Sequence, residues 1–218
     1  MQESTSREKI LKKIRKALIH KTANPFPSVE FESSVYAGSD EPVEVVFAHA
    51  FSKNGGHFVF CENENDLLEN LSAFVKELSL SKIFSADAAI KPYFEKAQVK
   101  FSSGEQALIE SDVSFTRCEA LIARTGTVLV SSRLSGGRKS SVASQVHAVV
   151  AYTSDLVPDI EEAMSMMKER YKGQLPSMFS LLSGPSRTAD IEKTLVTPAH
   201  GPKAIYVFLL DNSGQADS

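Results

Sequence analysis

Three short polar segments of the chain carry residue types that could hold a small anion. The first is Ala123–Thr127, in which Arg124, Thr125, Gly126 and Thr127 interrupt two apolar runs. Gly126 permits a positive φ or a close approach by a ligand, and the two threonines place a hydroxyl on each side of it. A plain hairpin turn or bulge would use the same residues.

The second segment is a loop, Ser132–Ser141, that combines glycines, cations and hydroxyls. Arg138 is its main candidate ligand residue, because a guanidinium presents a bidentate fork to a carboxylate or phosphate. The spacing of Gly136 and Gly137 matches neither a P-loop nor a dinucleotide-binding loop. An exposed flexible loop without a ligand is the alternative.

The third segment has the strongest pattern and reads SGPSRTADIE over residues 183–192. Small and hydroxylic residues lead into two acidic residues, which predicts a loop entering a helix. The free N–H groups of a first helical turn, together with the helix dipole, favour an anion. In the alternative, Ser186 or Thr188 only caps the helix while the acidic side chains complement its dipole. Arg187 is not needed for capping.

A histidine lies a short distance further on, in the connection His200-Gly201-Pro202-Lys203. His200 could exchange a proton near pH 7, although a lone loop histidine is also commonly structural or solvated. The predicted ligand-binding residues, all of them polar or glycine, are Arg124, Thr125, Gly126, Thr127, Arg138, Ser183, Gly184, Ser186, Arg187, Thr188, Asp190, His200 and Gly201. No residue is assigned a catalytic role, and no metal site is predicted.

Apolar periodicity predicts the elements that must position these segments. Strands are predicted over 57–61, 82–85, 113–116, 119–124, 127–132, 147–152 and 204–210. Helices are predicted over 5–20, 43–52, 64–78, 88–97 and 159–172. Strands separated by helices indicate an α/β fold with a mainly parallel sheet, and the consecutive strands between 113 and 152 add an antiparallel section. We therefore expect a mixed sheet flanked by helices.

The predicted domain organisation is one α/β domain over residues 43–211. An amphipathic helix within residues 1–22 precedes it, opened by a capping box of Thr5 and Glu8. An irregular connector with several prolines covers residues 23–42. The polar tail, residues 212–218, is predicted to be frayed.

Charge and cysteine content exclude several functions. A net charge of −3 argues against a general affinity for nucleic acid. The two cysteines, Cys61 and Cys118, cannot by themselves ligate an iron–sulfur cluster or a cysteine-rich zinc site, and stray thiols are typical of a reducing compartment. The absence of a signal-peptide profile and of an apolar run of ~20 residues predicts a cytoplasmic protein without membrane contact.

In their order along the chain, these motifs resemble the LUD domain family. The resemblance rests on Ala123–Thr127, on Arg138 followed by Val146-His147, on SGPSRTADIE and on the His-Gly-Pro at 200–202, and it covers residues 40–211. It implies a three-layer α/β fold similar to the sugar-phosphate isomerase and CoA-transferase group. It also implies a role in oxidising L-lactate to pyruvate beside the iron–sulfur lactate utilisation proteins A and B. On this view the clusters lie in those partners, and this chain carries no cofactor.

Two departures from the family pattern bear on the chemistry. The family usually has an acidic residue before T-G-T, and an acidic side chain serves as nucleophile in related CoA-transferase-like enzymes. Here the position is Arg124, which would instead favour holding an anion. Ser144-Gln145 stands where the family tends to have a proline, which changes the local loop shape. Two other functions stay open: a self-sufficient enzyme on a sugar-phosphate or CoA-linked substrate, and a non-catalytic carboxylate-binding module.

Overall fold

The structure is a computed structural model that describes residues 5–19, 25–28, 36, 39–134, 137–185, 188–189, 195–196 and 201–215. The chain divides into two units, Met1–Gly38 and Ser39–Ser218. In the first unit, helix α1 (Ser6–Ile19) begins with the predicted capping box. Glu8 N–H donates to Thr5 Oγ1 at 3.4 Å, and Thr5 N–H donates to Glu8 Oε2 at 3.0 Å.

The second unit alternates helices and strands. Its helices are α2 (Val43–Lys53), α3 (Glu64–Glu77), α4 (Lys91–Lys96), α5 (Glu105–Ile109) and α6 (Ile160–Arg170). Its strands are β1 (His57–Cys61), β2 (Ile83–Ser85), β3 (Val113–Thr116), β4 (Ala120–Ile122), β5 (Thr127–Ser131), β6 (Val146–Tyr152), β7 (Leu156–Val157), β8 (Phe179–Leu182), β9 (Thr188–Ala189), β10 (Leu195–Val196) and β11 (Ala204–Leu210). Short 3₁₀ turns cover Thr153–Asp155 and Ser213–Gln215.

Five of these strands form a parallel sheet in the order β1-β11-β6-β3-β2. β11, the last strand, pairs on one side with β1 and on the other with β6, where Ile205 lies opposite His147. The central strands are almost continuously apolar because both faces of the sheet are covered. Along β11, Ile205, Val207 and Leu209 face one core while Phe208 and Leu210 face the other.

The second sheet has four strands in the order β7-β4-β5-β8. β5 runs antiparallel to both β4 and β8, with Val128 opposite Leu182 and Ser131 opposite Phe179. The antiparallel section predicted from the sequence is therefore present, but it forms a sheet of its own rather than an extension of the parallel one.

Packing of these elements gives three layers, with helix α6 added on the outside. Helices α3 and α4 cover one face of the parallel sheet through a core that includes Leu71, Phe74 and Phe94. The other face packs against α2 and the second sheet, and helix α6 closes the outer face of that second sheet. The three-layer α/β fold with mixed strand directions, flanked by helices, is thus confirmed. Its likeness to the sugar-phosphate isomerase and CoA-transferase group stays a prediction.

The start of the tail differs from the expected frayed segment. Asn212 N–H donates to Thr153 Oγ1 at 3.1 Å, and Asn212 Oδ1 accepts from Ser154 N–H at 3.1 Å. These hydrogen bonds tie residue 212 to the 3₁₀ turn after β6, because the carboxyl ends of parallel β6 and β11 lie side by side. The polar composition of the tail gave no sign of this anchor.

Candidate functional site

The T-G-T segment forms the turn between β4 and β5 and rests on the last turn of helix α2. Gly126 has a φ of +57°, and a Cβ added to it would lie 2.2 Å from the backbone nitrogen of Phe51. The positive φ that the sequence allowed for is therefore present, while a close approach by a ligand stays a prediction. The object that approaches Gly126 is the protein's own helix α2.

Four polar residues meet at this turn, and we call them the hydroxyl cluster: Thr125, Thr127, Ser183 and Asn54. The Oγ atoms of Thr127 and Ser183 are 2.7 Å apart. Asn54, at the end of α2, donates from Nδ2 to the carbonyl oxygen of Thr125 at 3.0 Å. Gly184 also lies against α2, since a Cβ there would be 2.4 Å from the Asn54 carbonyl oxygen.

One hydroxyl of this cluster is unsatisfied. Thr125 Oγ1 is buried and has no hydrogen-bond partner among the described residues. A buried hydroxyl without a partner costs roughly 1–3 kcal/mol, so such a group in a native protein calls for an explanation, such as a bound water, an ion or a functional role. The cluster has no charge of its own, and its hydroxyls can both donate and accept. Hydroxyls of this kind can bond the carboxylate or hydroxyl oxygens of a small polar ligand.

Asn54 was not identified from the sequence. It follows an ordinary amphipathic helix and precedes Gly55-Gly56, which indicated only a turn. Its part in the cluster depends on two segments that lie 71 and more residues further along the chain. No local pattern could have marked it.

Arg124, next to this turn, is paired with a carboxylate of the protein itself. Its Nε and Nη2 donate to Asp159 Oδ2 and Oδ1 at 2.6 Å and 2.8 Å. Asp159 also caps helix α6 by accepting from Ile160 N–H at 2.6 Å. The hydrogen bonds from Arg124 hold the pKa of Asp159 below its usual range. The role of Arg124 in holding a ligand stays a prediction, and its observed role is to tie the T-G-T turn to α6.

Arg138 lies at the other end of the second sheet. Its Nη2 donates to Ser177 Oγ at 2.7 Å, just before β8 begins. Thr127 and Ser131 stand at opposite ends of β5, ~13 Å apart at ~3.3 Å per residue. Since Ser183 adjoins Thr127 and Ser177 adjoins Ser132, the structure separates Arg138 from the hydroxyl cluster.

Other predicted residues are placed only in part. Gly201 lies against Val142, whose Cβ is 3.9 Å from the position of an added Cβ. The backbone of Thr188 is in β9. Four further predicted ligand-binding residues lie outside the described residues: Ser186, Arg187, Asp190 and His200.

The helix predicted after the SGPSRTADIE segment is wrong at the residues that the structure describes. Thr188–Ala189 pairs antiparallel with Leu195–Val196, so the described residues form two short strands and not one helix. β-branched residues at 188, 194 and 196 favour an extended backbone and outweigh the capping pattern. The extended backbone at 188–189 and 195–196 gives no helix N-terminus for an anion, and residues 190–194 lie outside the described residues.

A buried carboxylate that no pattern in the sequence indicated lies beneath helix α6. Glu119 is 1% exposed and accepts hydrogen bonds from Arg170 Nη1 at 2.6 Å, Tyr171 Oη at 2.7 Å and Ser131 Oγ at 2.5 Å. Burial, and then the hydrogen bond to Glu119, raise the pKa of Tyr171. These four residues join α6 to the second sheet. In the sequence, Glu119 is only one acidic residue beside an apolar run.

His147 is completely buried in the centre of the parallel sheet. Its Nε2 is 2.9 Å from Thr116 Oγ1, and its Nδ1 has no hydrogen-bond partner within the described part of the chain. Burial lowers the pKa of His147 to about 4. The folded protein therefore holds this side chain neutral over the range in which an unfolded chain would protonate it.

We expect the free energy of unfolding to fall as the pH drops from 6.5 to 4, by ~3 kcal/mol from His147 alone. The unfolded chain binds a proton at His147 that the folded chain excludes, so stability rises with pH in this window. Urea unfolding at a series of pH values measures this slope. His147→Leu should flatten it, and His49→Gln, which changes an exposed histidine, should not. An unchanged slope in His147→Leu would contradict the assignment.

No metal site is evident in the described part of the chain. It contains no group of three histidine, cysteine or acidic side chains able to hold a metal ion. Cys61 and Cys118 are both free and buried, and burial raises the pKa of Cys61 to about 12. Thiols held in the neutral form are poor metal ligands. The expectation that iron–sulfur clusters belong to partner proteins stays a prediction.

Within the described ranges, none of the helices combines the length and the apolar character needed to cross a bilayer.

Comparison with known families and relatives gives consistent matches. A family model described as the LUD domain matches residues 45–210. Lactate utilization protein C of Shouchella clausii is 37% identical over 109 residues, which are 49% of this chain and 47% of that protein. The Bacillus subtilis protein of the same name is 31% identical over 54% of this chain and 48% of its own length. The one from Anoxybacillus flavithermus is 27% identical over 77% and 68%. The chain thus spans about half the length of the first two relatives.

A solved structure shares the fold. The crystal structure of a DUF162 family protein from Deinococcus radiodurans superimposes with a TM-score of 0.57 and covers 77% of this chain and 96% of that one. The two sequences are 15% identical, so the likeness concerns the three-layer fold alone.

Proposed function

Because the chain belongs to the LUD domain family, we propose that it acts in lactate utilisation, as one component of a system that oxidises L-lactate to pyruvate. The observation that carries this proposal is the similarity to several proteins named lactate utilization protein C. The match of residues 45–210 covers all four residues of the hydroxyl cluster.

The cysteine content supports a division of labour with partner proteins. Oxidation of lactate at its second carbon releases two electrons and two protons, and the electrons need an acceptor. The chain has two cysteines, whereas an iron–sulfur cluster commonly takes four. We therefore place the clusters in the partner iron–sulfur proteins, lactate utilisation proteins A and B. On this proposal, the present chain binds the small carboxylate or organises the assembly.

The hydroxyl cluster gives this role a chemical basis. Lactate carries a carboxylate and one hydroxyl, and pyruvate carries a carboxylate and a carbonyl. Thr125 Oγ1 can donate to the carboxylate of either, and the Thr127–Ser183 pair can supply a second hydrogen bond. The site is neutral, so the ligand would be held by hydrogen bonds rather than by an ion pair.

Deleting the gene is expected to abolish growth on L-lactate as the carbon source in an organism without a second copy, while growth on pyruvate stays normal. Thr125→Val tests the site itself, because it replaces one hydroxyl by a methyl of similar shape. We expect Thr125→Val to raise the free energy of unfolding by ~1 kcal/mol, since it removes an unsatisfied buried hydroxyl. When the gene with Thr125→Val is returned to the deletion strain, the growth rate on L-lactate should be at least tenfold lower than with the unchanged gene.

Ser132→Ala is the matched control, since it removes a hydroxyl from the far end of β5. It should restore growth fully. Normal growth of the deletion strain on L-lactate would overturn the proposed function. Full restoration by Thr125→Val would leave the pathway in place and remove the hydroxyl cluster from it.

Two other functions give different results with the purified chain. A self-sufficient enzyme on a sugar phosphate or CoA ester would raise its melting temperature with those compounds and turn them over. A non-catalytic binding module would respond to lactate or pyruvate without any turnover, alone or with partners. Thermal shift and turnover assays across the four ligand classes separate these outcomes from the proposed one.

A further inference from the structure

A cavity of about 410 Å³ opens beside helix α5, away from the hydroxyl cluster. Its walls come from the end of strand β2, from the start of α5 and from the loop that carries Arg138. All three segments belong to the second unit, Ser39–Ser218. The proposed function assigns no role to this cavity, although Arg138, a predicted ligand-binding residue, lies in its lining.

The floor of the cavity is apolar. Phe84 and Leu108 lie there with 2% and 3% of their surfaces exposed, and Ala86 completes the wall. Gly104 stands at the rim, and an added Cβ there would meet no atom within 4 Å. The rim is therefore open at Gly104, and the apolar lining below it favours a hydrocarbon group.

The rim of the cavity carries an excess of positive charge. Lys139 is paired with Glu105 across the opening, with Nζ and Oε1 2.5 Å apart. Arg138 donates to the neutral hydroxyl of Ser177 at 2.7 Å, and no carboxylate of the described residues is bound to its guanidinium. Two cations and one anion thus line the cavity. The cation without a carboxylate partner is Arg138, and a guanidinium is the group that best binds a carboxylate through two parallel hydrogen bonds.

From the apolar floor and the uncompensated Arg138, we infer that this cavity binds an aliphatic monocarboxylate longer than lactate. The carboxylate receives hydrogen bonds from Arg138, and the hydrocarbon chain covers Phe84 and Leu108. Lactate has only one methyl group, so it would contact much less of the apolar wall than a longer chain. This second site is separate from the hydroxyl cluster, and it does not depend on the proposed function.

Isothermal titration of the full chain with acetate, butyrate, hexanoate and octanoate tests this site. The affinity should rise along the series, by up to about fourfold for each methylene that becomes buried. Hexanamide, which has the same chain without the charge, should bind at least about tenfold more weakly than hexanoate. A flat series, equal binding of hexanamide, or no binding of any acid would overturn the inference.

Two variants localise the binding. Arg138→Gln should weaken hexanoate about tenfold or more, and Ala86→Phe should abolish binding by filling the cavity. Arg133→Gln is the matched control, because Arg133 is an exposed arginine whose guanidinium lies over the Tyr171 ring, outside the cavity. Arg138→Gln keeps the test valid if Ala86→Phe fails to fold, because Arg138 is exposed. Unchanged hexanoate affinity in Arg138→Gln would place any binding elsewhere and refute the site.

Discussion

Gly126→Ala is expected to lower the free energy of unfolding by at least ~3 kcal/mol, the largest loss that we predict for a single methyl group in this protein. The new Cβ would lie 2.2 Å from Phe51 N and 2.4 Å from the carbonyl carbon of Ala50. Both are backbone atoms inside helix α2, so neither can rotate away. The T-G-T turn would have to move off the helix, and the hydroxyl cluster would be lost with it.

Gly173→Ala is the matched control for this prediction. Gly173 follows helix α6 with a φ of +78°, and an added Cβ there meets nothing within 4 Å. Gly173→Ala should therefore lower the free energy of unfolding by only ~1 kcal/mol, the cost of placing a residue with a side chain in a left-handed backbone conformation. Urea unfolding of both variants gives the two losses. Equal losses would show that the turn does not press on α2 as described.

Arg170→Met is the second substitution with a large expected effect, a loss of ~2–3 kcal/mol. Glu119 is 1% exposed, and removing Arg170 leaves its charge buried with only two neutral donors, Tyr171 and Ser131. Breaking one side of a buried ion pair commonly costs ~3–5 kcal/mol. We expect less here because the side chain of Arg170 is 40% exposed, so water can approach the vacated position.

A double variant shows whether the cost comes from the uncompensated charge. Adding Glu119→Gln to Arg170→Met removes the charge but keeps a side chain that can accept from Tyr171. The double variant should recover more than half of the lost stability. Lys168→Met, in the same last turn of α6 but exposed, should change stability by less than ~0.5 kcal/mol. If the double variant is no more stable than Arg170→Met, buried charge is not the cause.

Elements with a strong period were predictable from the sequence. The bounds of β1, β3 and β11 are the predicted ones, and helices α2 and α3 end within one residue of the expected position. These segments have apolar residues on their buried faces, and the regular spacing of apolar residues along the sequence indicates which face is buried. Strand β8 and helix α5 were not predicted. The pattern of β8 is irregular, with two exposed apolar side chains, and α5 has only five residues.

The candidate site was predictable only where backbone geometry is local. A positive φ at Gly126 follows from a T-G-T turn between two strands, and the pattern indicated it correctly. The contacts of Asn54, the pairing of Arg124 with Asp159 and the distance of Arg138 from the cluster depend on how sheets and helices pack. At Thr188–Ala189 the β-branched residues of the segment outweighed a capping pattern that favoured a helix, so two local signals competed and the prediction followed the weaker one.

The position of β11 has a consequence for how the chain matures on the ribosome. β1 is made early, and in the described part of the sheet its strand partner is β11, which emerges only after all the other strands of that sheet. Until β11 is synthesised, the edge of β1 that pairs with β11 in the folded protein is therefore unpaired. The edge of β6 that pairs with the other side of β11 is unpaired as well. Stalled or shortened nascent chains that end before Ala204 would expose two aggregation-prone edges at once.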